Sequence, residues 1–550
     1  MKPRHFLALV AILALGLGLR VHGITAGLPG TAFGDEQPVV HHAVGFGSGD
    51  LNPHFFVYPS LFMYLTAVVY GGYFLVGRAL GTFPSLTAFK VQFFVDESPF
   101  FLLARLEVVA FALLTLIVLF NLARSAYGTA SALLATLLLA ISPVHVLDSH
   151  VATTDVPMTF FVVAAWYSLD RLTTSDRWGD LVLASTAIGL GAATKYIPIV
   201  LLGSLLVARW SVAARVSGRL ALLHALLLDR KLWAGAAISV AVFAIASPYN
   251  LLDFSNAWSD IRVYILQSQS PAEQNRAVLA RMLRDHGVPW LIVMGIGAAV
   301  LLRQHRPRDL VGVTFGALFV ALMVARGYYA ARYFSYLAPM MAVLAAIGLA
   351  WLGGRWAAGP RRWVAAACLA LVLVFPLVAT AATLTRLSNS STRQLAREWI
   401  HANLPADTAI VVDPYLRLAP TEEAVRGKLA LLEGVDGERA RLVRTALSAL
   451  SEARWKEPRY RLIFSRNYPL AYSFGVVATE DYYDVGGYVE RGAEYFVIAM
   501  PRYGEMSAPQ YRAFFGVLER VAVLVHRVPA EPERRLGPEI RIYRIGRGVS

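Results

Sequence analysis

The sequence predicts an α-helical polytopic membrane protein with a soluble α/β domain at its C-terminal end. Three observations carry this. Hydrophobic residues make up 57% of the 550, charged residues only 16%, and mean hydropathy is +0.52, whereas soluble domains run at about 45–50% apolar and about 25% charged. Apolar runs approaching the ~20 residues that cross a bilayer recur through the first 387 residues. From residue 388 onward Pro, Arg and Glu rise and no such run follows. The composition excludes disordered, collagen-like and ordinary cytosolic chains. A net charge of +14, from 51 Lys+Arg against 37 Asp+Glu, would suggest nucleic acid in a soluble chain. In a membrane chain its ordinary source is basic cytoplasmic loops, so no nucleic-acid partner is read from it. The single cysteine, Cys368, lies in an apolar run, which excludes an internal disulfide and a cysteine-based metal site.

The N-terminus, Met1-Lys2-Pro3-Arg4-His5 and then an apolar run to about Val21, has the basic start and apolar centre of a signal peptide. Residues 24–30 hold no convincing small-x-small cleavage site, so the run reads as a retained first helix. Ten further spans are expected at 101–121, 129–146, 156–169, 181–194, 197–208, 232–248, 290–302, 310–325, 334–352 and 363–384, about eleven in all. The run 56–76 is a twelfth. Lys2 and Arg4; Arg124; Arg171 and Arg177; Arg209, Arg215, Arg219, Arg230 and Lys231; Arg303, Arg306 and Arg308; and Arg355, Arg361 and Arg362 share one loop parity only if 56–76 does not cross. The positive-inside rule then puts these loops and the N-terminus in the cytoplasm of an inner or plasma membrane. Run 56–76 becomes an interfacial or re-entrant part of one outer loop, 21–100, interrupted by Gly71-Gly72 and edged by Tyr64, Tyr70 and Tyr73. The other outer segments are 147–155, a turn at 195–196, 249–289 and 326–333. Residues 1–387 form the membrane domain and 388–550 an extracytoplasmic one. There, helices are expected at 391–403 and 511–521, with strands at 409–412, 495–499, 522–526 and 540–545, which is the pattern of a small α/β domain.

Chemistry concentrates on the outer side. Gly34-Asp35-Glu36-Gln37-Pro38 sets two adjacent carboxylates just beyond the first span. Such a group deprotonates an acceptor hydroxyl or amine, or holds a cation; adjacent acids are also common in solvated turns. Asp148-Ser149-His150-Val151-Ala152-Thr153-Thr154-Asp155-Val156-Pro157 ends on an acid suited to capping the next helix, a role compatible with catalysis. Cations on this side run against the positive-inside trend: Lys195 between two apolar runs, and Arg326 and Arg332 around Gly327-Tyr328-Tyr329. An ionisable group at membrane depth is a functional candidate, and Lys and Arg are natural phosphate partners; snorkelling to the interface is the plainer alternative. His41-His42 with Asp35 and Glu36 would be a metal set, but adjacent histidines rarely both reach one ion, and no metal site is assigned. Asn52-Pro53-His54-Phe55-Phe56-Val57-Tyr58-Pro59-Ser60-Leu61 suits a substrate groove or a rigid loop on the bilayer. Tyr472-Ser473-Phe474 and Asp481-Tyr482-Tyr483-Asp484 suit sugar contact or simple packing. ATPase, zincin and α/β-hydrolase motifs are absent.

In order, these features resemble the GT-C superfamily of polyprenyl-phosphate-sugar glycosyltransferases, in particular the protein O-mannosyltransferases and bacterial aminoarabinose transferases of the family 39-like group. The residues that carry the resemblance are Gly34-Asp35-Glu36; Gly49-Asp50-Leu51-Asn52-Pro53 leading to Tyr58-Pro59-Ser60-Leu61; Ala152-Thr153-Thr154-Asp155-Val156-Pro157-Met158; Ala193-Thr194-Lys195-Tyr196; Arg332-Tyr333-Phe334-Ser335-Tyr336-Leu337-Ala338-Pro339; and the tail from Thr392 to Ile400. The resemblance implies a large first outer loop and inverting transfer of a sugar from a polyprenyl-phosphate donor to a glycan, lipid or protein acceptor. It implies Asp35 as general base or as the group that orients the acceptor, with Glu36 beside it, Asp155 as a second acid, and Lys195 and Arg332, with Arg326, at the donor phosphate. Tyr58, His54, Tyr196 and Tyr333 would line the groove. No cofactor is required beyond the lipid-phosphate sugar; a divalent metal stays open, because metal use varies in the superfamily. One departure is Tyr58-Pro59-Ser60-Leu61 where aminoarabinose transferases have Lys-Pro-Pro-Leu, which removes a cation and puts a lipid A acceptor in doubt. A lipid-linked sugar flippase and a non-catalytic membrane protein with a binding tail are the alternatives, though notable charges at one edge and the absence of a repeat fit a transporter poorly.

Overall fold

The apolar runs of the first 387 residues all fall in helix. The computed structural model describes residues 2–30, 33–217, 221–267, 272–304, 306–326, 331–356, 361–412, 416–430, 436–450, 457–464, 485–500 and 509–546. Its helices run, in order, α1 (Pro3–Val21), α2 (Gln37–Gly45), α3 (Leu61–Ala79), α4 (Leu86–Val95), α5 (Ser98–Ala140), α6 (Pro143–Asp148), α7 (Asp155–Ser175), α8 (Trp178–Thr194) and α9 (Leu201–Ser217). They continue as α10 (Ala221–Leu228), α11 (Arg230–Ala246), α12 (Tyr249–Leu252), α13 (Phe254–Gln267), α14 (Ala272–Gln304), α15 (Pro307–Arg326), α16 (Phe334–Trp356) and α17 (Arg361–Ser388). Among the described residues, eight helices are long and apolar enough to cross a membrane. Leu61–Ala79 is one of the eight by length and composition, so its interfacial reading rests on loop charge alone. The protein is a multi-pass membrane protein.

By packing, the chain divides into two compact units. The first comprises Met1–His22, His54–Tyr64 and Arg105–Thr383. Its core is aliphatic and aromatic, built from residues such as Leu119, Leu138, Val163, Leu169, Leu181, Ile188, Leu205, Phe319 and Ala345. The most extensive pairings are α7 with α8, α14 with α16 and α8 with α11. Helix breaks fall where the backbone chemistry puts them. Gly128, at φ 85°, interrupts α5 between two expected spans, and Gly287, at φ 78°, with Pro289 interrupts α14 before the span expected at 290–302; glycine adopts positive φ without a Cβ clash. The span expected at 129–146 closes at Ala140, because Pro143 opens a new short helix.

Buried charges in this unit are tied down. Arg20 is fully buried and donates to the carbonyls of Gly16 (2.9 Å) and Ala140 (3.0 Å) and to Ser149 Oγ (3.2 Å), and it meets His145 Nδ1 at 2.9 Å. It thereby satisfies a carbonyl at the end of α5 that no helical N–H reaches. At loops expected on the cytoplasmic side, Arg209 pairs with Asp229 (2.8 Å) and with Asp176, Lys231 with Asp176 (2.9 Å), and Arg308 with Asp170 (2.5 Å). Basic residues from which an orientation is expected therefore also clamp neighbouring helices.

The second unit comprises Gly23–Pro53, Leu65–Ala104 and Leu384–Ser550. Its helices after α17 are α18 (Thr392–Asn403), α19 (Glu422–Ala430), α20 (Glu438–Leu450), α21 (Val485–Glu490) and α22 (Pro509–Val521). Its strands are β1 (Ala409–Val412), β2 (Ala419–Pro420), β3 (Arg459–Phe464), β4 (Tyr495–Ala499), β5 (Ala522–Val528) and β6 (Ile540–Ile545), in the order β2-β3-β1-β4-β6-β5. β1 runs parallel to β3 and β4, and β6 runs antiparallel to β4 and β5. Ile410 and Val412 pack under α18 on one face, and Ala409 and Val411 pack with Tyr488, Phe514 and Leu518 on the other. The strict alternation of a sheet covered on both faces explains why β1 and β4 are apolar throughout. Ser391 caps α18 in a reciprocal capping box with Gln394. The first outer loop contributes here through Arg439, which donates to Pro53 O (3.0 Å) and pairs with Asp50 (3.4 Å), and through Arg417, which pairs with Glu97 (3.2 Å). The segments 472–474 and 481–484, singled out above, lie outside the described residues.

In the first unit α14 and α16 touch backbone to backbone. A Cβ at Gly297 would lie 2.0 Å from Leu344 O, and one at Gly348 would lie 2.0 Å from Val293 O, whereas a Cβ at Gly295 would meet nothing within 4 Å. Gly297→Val is expected to lower the detergent unfolding temperature and the yield of folded protein, at a cost of about 1–3 kcal/mol or more because backbone cannot move aside. Gly295→Val should leave both within error, and equal behaviour of the two variants would refute the close crossing.

Candidate functional site

The site is built where α7 begins and α8 ends. Asp155 is the first residue of α7, preceded by Thr154 in the N-cap position with no side-chain cap bond. A carboxylate there meets the positive end of the helix dipole. Lys195 is the residue on which α8 stops. Its backbone is extended (φ −154°, ψ 141°) while its N–H still reaches Gly191 O at 3.0 Å, and Pro198 follows in a short 3-10 turn. The extended backbone sends the lysine side chain across to α7. There Nζ donates to Asp155 Oδ1 at 2.6 Å and to Tyr336 Oη at 2.7 Å, and the Tyr336 hydroxyl itself donates to Asp155 Oδ1. All three are buried, Lys195 at 4%, Asp155 at 2% and Tyr336 at 1% exposure.

Aromatic rings surround the ammonium group. Nζ lies 5.5 Å from the centre of Tyr58 and 5.3 Å from the centres of Tyr333 and Tyr336. Each ring face attracts a cation by about 0.5–2 kcal/mol, more as water is excluded. The 54–64 segment that brings Tyr58 here is fastened by a polar chain. Tyr196 Oη donates to Phe56 O at 2.8 Å and accepts from Asn250 Nδ2 at 2.7 Å. Ser247 Oγ accepts from Ser60 N at 2.9 Å, and Phe56 N donates to Asp260 at 2.9 Å.

Of the residues expected from sequence, Asp155, Lys195, Tyr58 and Tyr333 thus come together, and Arg332 acts electrostatically on Asp155 from the Ala331–Tyr333 turn. Tyr196 supports the loop through its hydroxyl. His54 is exposed, with φ 49°. The Arg326 side chain lies outside the described residues. Asp35, exposed, and Glu36, fully buried, sit in a 3-10 turn of the other unit. In that unit His41 lies 3.9 Å from Glu97, and burial, with the charges of His42 and Arg417, lowers its pKa to about 3; His42 Nδ1 lies 2.5 Å from Pro38 O. Among the described residues no three His, Cys, Asp or Glu side chains gather closely enough to hold a metal ion. No step below uses a metal.

Two members of the cluster escape sequence reasoning. Tyr336 looks like one more aromatic in an apolar helix. Asp148, the last residue of α6, lies in the outer loop 147–155, and only its place beside Asp155 marks it. Burial and the charge of Asp155 push its pKa up to about 7, against the opposing pull of Ser335, Arg332 and Lys195.

Breaking a buried ion pair strands the other charge. Lys195→Met is expected to cost about 3–5 kcal/mol, read as a large drop in unfolding temperature. Adding Asp155→Asn should restore most of that loss, and simple additivity in this double-mutant cycle would show that the two side chains do not interact.

A model of the dolichyl-phosphate-mannose-protein mannosyltransferase family matches residues 101–248, which span Lys195 and Asp155. No curated protein matches the chain. Among solved structures, ArnT from Cupriavidus metallidurans bound to undecaprenyl phosphate is similar over 100% of both chains, at 15% identity and a TM-score of 0.53. The apo oligosaccharyltransferase of Archaeoglobus fulgidus is similar over 94% of this chain and 71% of its own, at 12% identity and a TM-score of 0.52. At these identities the likenesses show that the chain shares the fold of these two membrane proteins.

Proposed function

We propose that this chain, which has the GT-C fold, is an integral-membrane inverting glycosyltransferase that moves a sugar from a polyprenyl phosphate to a glycan, lipid or protein acceptor on the outer face of an inner or plasma membrane. The observation that carries this reading is the buried Lys195 ammonium, paired with Asp155 and Tyr336 under a roof of tyrosines. Lysine has three N–H donors. Asp155 and Tyr336 take two of them, and among the described residues the third is left for a phosphate oxygen. The ArnT neighbour holds undecaprenyl phosphate in its own structure, a ligand of the right chemistry.

The reaction follows from these charges. The acceptor oxygen or nitrogen attacks the anomeric carbon, and the bond from that carbon to the phosphate oxygen breaks. The lipid phosphate leaves with the bonding pair and gains a negative charge. Lys195 and Arg332, and Arg326 as a further cation, stabilise that charge where water is scarce; a donor aimed at developing charge is typically worth about 10²–10³ in rate. Asp155 keeps Lys195 oriented before the donor arrives. Asp35 takes the acceptor proton, with Glu36 beside it. Tyr58, His54, Tyr196 and Tyr333 shape the sugar groove. The membrane domain ends near residue 387, the N-terminus is cytoplasmic, and 388–550 is extracytoplasmic.

Asp35→Asn is expected to insert and unfold like the parent while losing transfer by about 10²–10⁴-fold, the usual contribution of a general base. The assay is transfer from a polyprenyl-phosphate sugar in proteoliposomes, and full activity of the variant would remove Asp35 from the mechanism.

A further inference from the structure

We propose that Asp148 is a positioning residue of the donor site that carries a proton when a lipid phosphate is bound, so that donor binding takes up a proton from solution. This rests on the lipid-phosphate reading of the Lys195 cluster. Asp148 is 9% exposed, and its Oδ2 has no hydrogen-bond partner among the described residues. An ionised carboxylate would normally find donors in such a place, and a protonated one needs only an acceptor. An arriving phosphate oxygen is that acceptor.

The groups facing Asp148 can be taken element by element. α7 contributes the acid Asp155, and the end of α8 contributes Lys195. The 331–333 turn contributes Arg332, and α16 contributes the Ser335 hydroxyl, with Tyr336 committed to Asp155. From α1, Arg20 is already engaged with His145, Ser149 and backbone carbonyls. On its own segment, His150 lies within hydrogen-bond distance of Val146 O (2.8 Å) and His22 O (2.9 Å). Two cations therefore face one or two anions. With Asp148 neutral the cluster carries one net positive charge, which a singly charged phosphodiester cancels. With Asp148 ionised the cluster is already neutral, and the phosphodiester adds an uncompensated charge in a dry site.

The direction follows. Asp148 is raised to about 7 without donor, and a bound anion raises it further. Donor affinity should be level below about pH 7 and fall above it, by up to about tenfold per pH unit for one linked proton. The experiment uses the full chain in detergent and the methyl ester of a polyprenyl phosphate, whose single charge does not change between pH 6 and 9. Titration calorimetry at pH 8 in buffers of different ionisation heat should read uptake of up to about one proton by the parent chain. Asp148→Asn should take up none, and its affinity should no longer fall with pH, so that it binds more tightly than the parent at pH 9. Binding with no proton uptake by the parent chain, or an unchanged pH slope in Asp148→Asn, overturns the role of Asp148 and leaves the lipid-phosphate reading standing. No binding at any pH overturns both.

Discussion

The structure turns on a lysine that cannot reach bulk water. Lys195 is almost fully buried, and moving an ammonium ion out of water costs several kcal/mol unless a partner offsets it. The fold supplies that partner from elsewhere in sequence. Asp155 is 40 residues away and Tyr336 is 141 away, so the pair forms only if α7, α8 and α16 are all in place. The pair also lets the cation stay dry without ligand. An unpaired lysine in this position would pull in water; a paired one is held in a fixed orientation.

Other buried cations of the membrane unit obey the same constraint with a different result. Arg20 spends its guanidinium on carbonyls, a serine and a histidine, and Arg209 and Arg308 close on carboxylates at the helix ends. Those arrangements hold helices together. In the Lys195 cluster, hydrogen bonds among the described residues leave a third N–H on the lysine and Oδ2 of Asp148 unused. Surplus hydrogen-bonding capacity in a dry site costs stability, and a protein retains it where a ligand completes the set.

Much of the architecture was legible because its causes are local. Bilayer thickness sets the length of an apolar run, so most of each of the eleven expected spans falls in helix, and Gly128, Gly287 and Pro143 mark where helices break or begin. The strands at 409–412 and 495–499 match observed ends because buried strands are short and apolar, and 540–545 matches through its alternation of Ile and Tyr with Arg. β3 was missed: Arg459 and Arg461 interrupt its apolar pattern, and only its pairing with β1 makes it a strand. In the site, Lys195 and Asp155 were legible as charges in the wrong place. Their pairing, and the parts played by Tyr336 and Asp148, were not, because nothing local distinguishes a tyrosine that bonds a carboxylate from one that fills a core.

The departure at Tyr58-Pro59-Ser60-Leu61 gains a physical meaning from this geometry. Where the aminoarabinose-transferase pattern has a lysine, this chain sets an aromatic ring 5.5 Å from the Lys195 ammonium. The cation lost from the loop is replaced by a group that attracts the cation remaining. Where that pattern has a second proline, Ser60 uses the N–H that proline lacks to bond Ser247 Oγ at 2.9 Å, and its own hydroxyl meets the same atom at 2.8 Å. Ser247 in turn donates to Asn250 Oδ1 at 2.5 Å, and Asn250 donates to Tyr196. The two substitutions act together: one changes what the loop presents to the site, and the other fastens the loop so that it is presented in a fixed place.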